Sequence, residues 1–226
     1  KFLEEEKYRV IIDSSFSSGV MNVGEVVSSG QTNGTIIFCS YLDGPGQANE
    51  TLSGVLIGLE VLNSLRNANT KYTYRLLIFS GPAGFASWVS QNKELMPSVK
   101  GVLNLRCLGS TFPHNLQLSG RKEAVFEQVC RTIIRKIDPE CQMTEAGNFF
   151  EALPSGMNPI FSNEKNRYNL PILTLYRSLS EKNINYPFIG YQTNFDSVEK
   201  VDFPAMLDSS GLISDIISEL EMNTMA

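Results

Sequence analysis

Cys39-Ser-Tyr-Leu-Asp-Gly-Pro-Gly-Gln-Ala-Asn-Glu-Thr-Leu-Ser-Gly54 decides how the rest of the chain is arranged. Just before it, Thr35 to Phe38 is an apolar, β-branched run of the kind that forms a strand buried on both faces. Just after it, Val55, Leu56, Leu59, Leu62 and Leu65 fall at helical spacing and predict a helix over about Leu52–Arg66. Between them lies a polar loop rich in Gly and Pro. In open α/β sheets, ligands are handled in the crevice beyond the carboxyl end of such a strand. The loop is therefore a candidate site.

The same alternation runs outward in both directions. Tyr8–Ile12 and Val20–Val27 have strand character, joined by a turn at Asp13-Ser-Ser-Phe-Ser-Ser-Gly19. Downstream, strands are predicted at Tyr72–Phe79, Gly101–Leu108 and Pro171–Tyr176, with an edge piece at Leu116–Leu118. Helices are predicted at about Phe85–Glu94, Lys122–Ile137 and from Phe203 to Leu220, where Gly211 is a candidate kink. Cys141–Met157 has no periodicity, and Arg177–Asn194 is a long loop. Strands alternating with helices specify a three-layer α/β/α domain with a mostly parallel mixed sheet.

A chain of 226 residues suits a single domain over residues 1–226, with room for a sizeable core. It opens on Lys1 with neither Met nor a signal-peptide pattern, as expected of a fragment of a longer protein. Net charge of -5 argues against nucleic acid as a partner, and no apolar run is long enough to cross a bilayer. Cys39, Cys107, Cys130 and Cys141 form no C-x-x-C pair, which favours free thiols and a reducing, cytoplasmic setting. The single histidine, His114, is the most informative count: two-zinc and Ser/His hydrolases both depend on imidazole.

The loops resemble those of the co-catalytic zinc exopeptidases of clan MH, in particular a bacterial aminopeptidase-like branch. Val10-Ile-Ile-Asp-Ser-Ser-Phe16 and Gly24-Glu-Val-Val-Ser-Ser-Gly30 look like its opening hairpin. Tyr41 to Gly54 looks like its H-x-x-H-P-x-x-A-N-D-x-x-S-G motif. Ser80-Gly-Pro-Ala-Gly84 stands in place of P-E-T-I-G, and Cys107-Leu-Gly-Ser110 in place of C-x-G-D. Ser162-Asn-Glu164 with Leu170-Pro171 and Arg177 looks like S-D-E followed by L-P and R. Tyr191-Gln-Thr-Asn-Phe-Asp196 stands in place of Y-H-T-S-x-D. The resemblance spans nearly the whole chain and implies the zinc-exopeptidase (phosphorylase/hydrolase-like) fold.

It also implies zinc, and there this chain departs from the pattern. Tyr41 stands where the first histidine ligand would be, Gly81 where the catalytic glutamate would be, Ser110 at the third-loop aspartate and Gln192 at the terminal histidine. Only Glu50, at the bridging aspartate, keeps a carboxylate. A phenol, a hydroxyl and an amide cannot replace imidazole and carboxylate as zinc ligands. The expectation is a domain with no metal cofactor and no confident catalytic residue. Its former crevice, through Tyr41, Asp43, Glu50, Glu164, Arg177 and Gln192, would bind a peptide, an amino-acid-like ligand or a protein partner, with oligomers allowed. The alternative is an active hydrolase with a single-metal or non-standard site built on Glu50.

Other roles stay open on the residues alone. Asp43, Glu50 and Glu164 could gather around an amino group or a divalent ion, or be solvated loop acids. Asn49 and Ser53 are placed to cap the helix. Asp196 is placed to tie its loop. Arg177 suits either a ligand carboxylate or an internal salt bridge. Cys39 with His114 would make a nucleophile and base, against the plainer reading of a buried thiol and a surface-loop imidazole.

Overall fold

The computed structural model describes residues 9–42, 47–144, 170–178 and 188–222. Its centre is a mixed seven-stranded sheet in the order β1-β3-β2-β4-β7-β5-β6. The strands are β1 (Gly24–Ser28), β2 (Thr35–Tyr41), β3 (Thr73–Phe79), β4 (Val99–Leu105), β5 (His114–Gln117), β6 (Gln142–Thr144) and β7 (Ile172–Arg177). The four central strands run parallel, β1 is antiparallel to β3, and β5 is antiparallel to β7. The helices are α1 (Ser53–Ser64), α2 (Gly81–Gln91), α3 (Val125–Ile137) and α4 (Phe203–Met222).

The near-continuous apolar run of β2 has a physical reason: both of its faces are covered. Ile36 and Phe38 point into one core with Val61, Leu62, Phe126, Ile134 and Ile216 of α1, α3 and α4. Ile37, Cys39 and Tyr41 point the other way, against Phe85, Trp88 and Val89 of α2. The three layers expected from the sequence are present.

One glycine sets the geometry of the site. A Cβ on Gly54 would lie 2.3 Å from the Leu105 carbonyl oxygen, so the first turn of α1 can rest on the end of β4 only because residue 54 has no side chain. That contact brings the loop after β2 against the loop after β4.

Several boundaries differ from the sequence-based expectation. Residues 9–12 form no strand, and the second predicted strand begins at Gly24 rather than Val20; Val10, Ile11, Ile12 and Val20 are exposed among the described residues. The helix expected from Phe85 begins at Gly81, whose φ of 55° suits glycine. Gly211 lies within α4 without interrupting it. β6 falls inside the stretch read as irregular; three residues are too short for a period to show. Among the described residues, no helix is long and apolar enough to cross a membrane.

Candidate functional site

β2 ends at Tyr41, and the chain re-enters regular structure at a π-helical turn, Ala48–Leu52, that runs directly into α1. The cap of that turn comes from far along the chain. Asp196 Oδ1 accepts the Asn49 amide at 2.8 Å, and Oδ2 accepts the Glu50 amide at 2.9 Å. The expectation that Asn49 and Ser53 cap the helix is thereby corrected. Asn49 Oδ1 instead accepts the Gly109 amide at 2.7 Å, and Ser53 Oγ accepts the Leu108 amide at 3.0 Å. These two side chains hold the loop after β4 in place, and Asp196 holds the loop before α4.

The centre of the arrangement is an ion pair. Arg106, the residue after β4, places Nη2 2.6 Å from Glu50 Oε1, and both side chains are at least 96 % buried, at 3 % and 4 % exposure. The guanidinium carbon lies 5.0 Å from the centroid of the Tyr41 ring, a cation–π contact worth about 0.5–2 kcal/mol. Nη2 also approaches the Tyr191 hydroxyl at 3.4 Å, and Gln192 Nε2 approaches the same hydroxyl at 3.4 Å. Tyr41 and Glu50, both singled out from sequence, therefore meet Arg106 directly, and Gln192, also singled out, is linked to it through the Tyr191 hydroxyl.

Charge and burial compete here. Desolvation raises the Glu50 pKa above the ordinary carboxylate value, as does the neighbouring Asp196 carboxylate; Arg106 and the Gln192 amide pull it down without overcoming burial. Burial works against the Arg106 cation, but the surrounding Cys107, Tyr191, Tyr41 and Glu50 outweigh it and hold its pKa above the usual arginine value. Arg106 is the fixed charge of the site, and Glu50 is the group whose ionisation is strained. Two flanking residues adopt left-handed backbone, Cys107 (φ 51°) and Gln192 (φ 56°), each a conformation that costs a non-glycine residue of order 1–3 kcal/mol.

The other candidates fall elsewhere. Ser110 is buried, and its Oγ has no hydrogen-bond partner among the described residues. It lines a cavity of about 420 Å³ with Asn49, Phe112, Phe188, Lys200 and Asp202. Gly81 heads α2 and contributes no side chain. Asp43 and Glu164 lie outside the described residues. Arg177 takes the internal-salt-bridge alternative: it pairs with Asp208 and donates to the Phe112 carbonyl at 2.7 Å and to Ser209 Oγ at 3.0 Å.

His114 is not on a surface loop. It opens β5, is 1 % exposed, and meets Asp138 Oδ2 through Nδ1 at 2.9 Å and Ser209 Oγ through Nε2 at 3.0 Å. The Asp-His-Ser order is that of a hydrolytic triad, but Ser209 is fully buried on α4 and also within 3.0 Å of the Ala205 carbonyl and of Arg177 Nε. No substrate carbonyl can reach it, so the array is structural. Cys39 is buried in the core beneath α2, and desolvation drives its pKa up, so no Cys/His pair forms.

Arg106 is the functional residue that sequence reasoning missed. The signal was present: one arginine stands in a run that is apolar apart from it and Asn104, Val102-Leu-Asn-Leu-Arg-Cys-Leu108. A charge placed at the end of a buried strand requires a partner, and the nearest carboxylate in another loop could have been sought for it.

The model of the family described as Domain of unknown function (DUF4910) matches residues 12–223. A Clostridium acetobutylicum protein, named as a polysaccharide biosynthesis protein with aminopeptidase-like domain, is 26% identical over 223 residues, covering 97% of this chain and 48% of its own length. The chain thus spans about half the length of that curated relative. A crystal structure of a peptidase from the same organism superposes with a TM-score of 0.77 at 23% identity, over 89% of this chain and 44% of the other. A Bacillus subtilis zinc aminopeptidase gives 0.68 at 16% identity, over 89% of this chain and 50% of the other. A Porphyromonas gingivalis glutaminyl cyclase gives 0.68 at 12% identity, over 88% and 78%. At these identities the structural matches establish the fold, which is that of the bacterial aminopeptidases.

Proposed function

The chain belongs to the family described as Domain of unknown function (DUF4910), and from that premise we propose that it is a non-hydrolytic aminopeptidase-like domain whose crevice binds a peptide or amino-acid-like ligand, or a protein partner. The observation that carries this reading is the buried Glu50–Arg106 pair at 2.6 Å. In the family resemblance, the Glu50 position supplies the carboxylate that bridges two zinc ions. Here it faces a guanidinium, which is never deprotonated in proteins.

Among the described residues, those at the family's ligand positions do not fit a zinc pair. At 4 Å and an effective dielectric of 20, each unit of charge on an incoming cation would be repelled by Arg106 with about 4 kcal/mol. Tyr41, Ser110 and Gln192 add no anionic or imidazole donor to offset that cost. Among the described residues, no three His, Cys, Asp or Glu side chains gather into a metal-binding group. Arg106 supplies internally the positive charge that a metal would bring.

The crevice does offer recognition chemistry. Glu50 Oε2, Arg106 Nε and Nη1, Asn49 Nδ2 and Ser110 Oγ are buried and lack hydrogen-bond partners among the described residues. Of these residues, Asn49 and Ser110 line the cavity of about 420 Å³, with Lys200, Glu199 and Asp202 also in its wall, a polar lining that suits a ligand with an ammonium and a carbonyl. All four cysteines are free thiols, which supports the cytoplasmic setting expected from the sequence.

The test is zinc reconstitution followed by an amino-acid p-nitroanilide assay. The expected result is zinc well below one equivalent after dialysis and no cleavage. Stoichiometric zinc with turnover would overturn the reading. It would favour a metal site on Glu50, provided that Glu50→Ala then abolished activity without unfolding.

A further inference from the structure

A second cavity, of about 640 Å³, lies at the opposite end of the sheet from Glu50. Its walls come from where the parallel strands begin: Thr32 and Gly34 before β2, Lys71 and Tyr72 before β3, Val99 and Lys100 at the start of β4, and Pro171 before β7. Arg121 to Phe126, the approach to α3, closes the remaining side. Ligands in such folds usually gather at the carboxyl ends of the strands, so nothing in the aminopeptidase-like crevice accounts for this cavity.

Its charge is the reverse of the chain's. Lys71, Lys100 and Arg121 line it with the acid Glu123, and the Glu221 carboxylate accepts the Lys71 and Tyr72 amides, in a protein of net charge -5. Among the described residues, neither Lys100 nor Arg121 forms an ion pair. Arg121 Nε is buried without a hydrogen-bond partner among them, and the Arg121 amide is anchored by Ser119 Oγ at 3.2 Å. Lys71 Nζ is held 5.1 Å from the centroid of the Tyr72 ring, itself part of the wall. Three cations from three separate segments thus face one space. Val99, Phe126 and Pro171 make the remainder of the lining apolar.

We propose that this cavity is a binding site for a small organic phosphate, with the phosphate group between Lys71, Lys100 and Arg121 and the apolar body against Tyr72, Val99, Phe126 and Pro171. Two lysines act as point charges and one arginine as a fork, a combination that matches a dianion with several oxygens better than it matches a single carboxylate.

Calorimetry with phenyl phosphate and benzoate on the intact chain tests the assignment. Saturable binding of phenyl phosphate is expected, at least tenfold tighter than that of benzoate, and weakened at least tenfold in the Lys100→Gln/Arg121→Gln double variant with an unchanged melting temperature. Absence of saturation, benzoate binding within tenfold of phenyl phosphate, or a folded double variant weakened by less than tenfold would each overturn it. If the double variant fails to fold, the exposed Lys100→Glu carries the test, with weakening below fivefold as the overturning result.

Discussion

Replacing Arg106 by methionine should destabilise the protein by about 3–5 kcal/mol, the usual consequence of stranding one member of a buried ion pair. Methionine retains much of the arginine stem's volume, so the loss reports on charge more than on packing. Glu50, with its side chain only 4 % exposed, would keep its carboxylate in the crevice with no cation beside it. For a domain of this size the loss corresponds to a melting temperature lower by about 6–20 °C. The deficit should also depend on pH, with a defined sign. The Glu50 pKa is already raised above the ordinary carboxylate value of 4.5 by burial, and removing Arg106 removes the main influence that lowers it. The folded variant would then bind a proton above pH 4.5 that the unfolded chain does not, so the variant should regain stability as pH falls toward that value. Urea melts at pH 8 and pH 5, with Glu50→Gln/Arg106→Met completing a double-mutant cycle, give the measurement. The double variant should recover most of the loss at pH 8. A single variant within about 1 kcal/mol of the parent, with no recovery in the double, would refute the pair's central place.

Asp196→Ala removes both carboxylate caps on the turn before α1 and should cost about 1–3 kcal/mol in urea melts; a loss below a few tenths would mean that the two amides find other partners. His114 titrates below the ordinary imidazole value of 6.5, chiefly through burial and then through Arg177, while Asp138 and Asp208 oppose the shift. The unfolded chain therefore binds the extra proton first, so this contribution to stability is complete above about pH 6.5 and is lost as pH falls through the folded pKa. His114→Gln should flatten the decline in stability between pH 7 and pH 5, and an unchanged slope would contradict the assignment. Native iodoacetamide labelling followed by peptide mass spectrometry should modify Cys141, the half-buried thiol, ahead of Cys39, Cys107 and Cys130. Rapid labelling of Cys39 would revive it as a nucleophile.

The fold was largely legible because its signals are periodic. β2, β3 and β7 appear as apolar runs, and α1, α3 and α4 as stripes, since each buries a face continuous along the chain. Less legible were features defined by partners rather than by period: the strand piece expected at Leu116–Leu118 is β5, but it begins at His114, where Asp138 and Ser209 satisfy the imidazole, and residues 9–12 stay irregular with their side chains exposed. The site was legible only as a set of replacements. Tyr41, Glu50 and Gln192 could be singled out from two separate loops, but what joins them is Arg106, which lies 56 residues beyond Glu50. A contact between two loops has no local pattern. It follows from Gly54 letting α1 rest on the end of β4, which residue spacing does not reveal.

A zinc-soaked crystal, measured with anomalous diffraction at the zinc edge, tests the central claim most directly. The account predicts no zinc peak within coordination distance of Glu50, with the Arg106 guanidinium in contact with its carboxylate as at the 2.6 Å seen here. A zinc ion bound to Glu50, with Arg106 swung away, would contradict it.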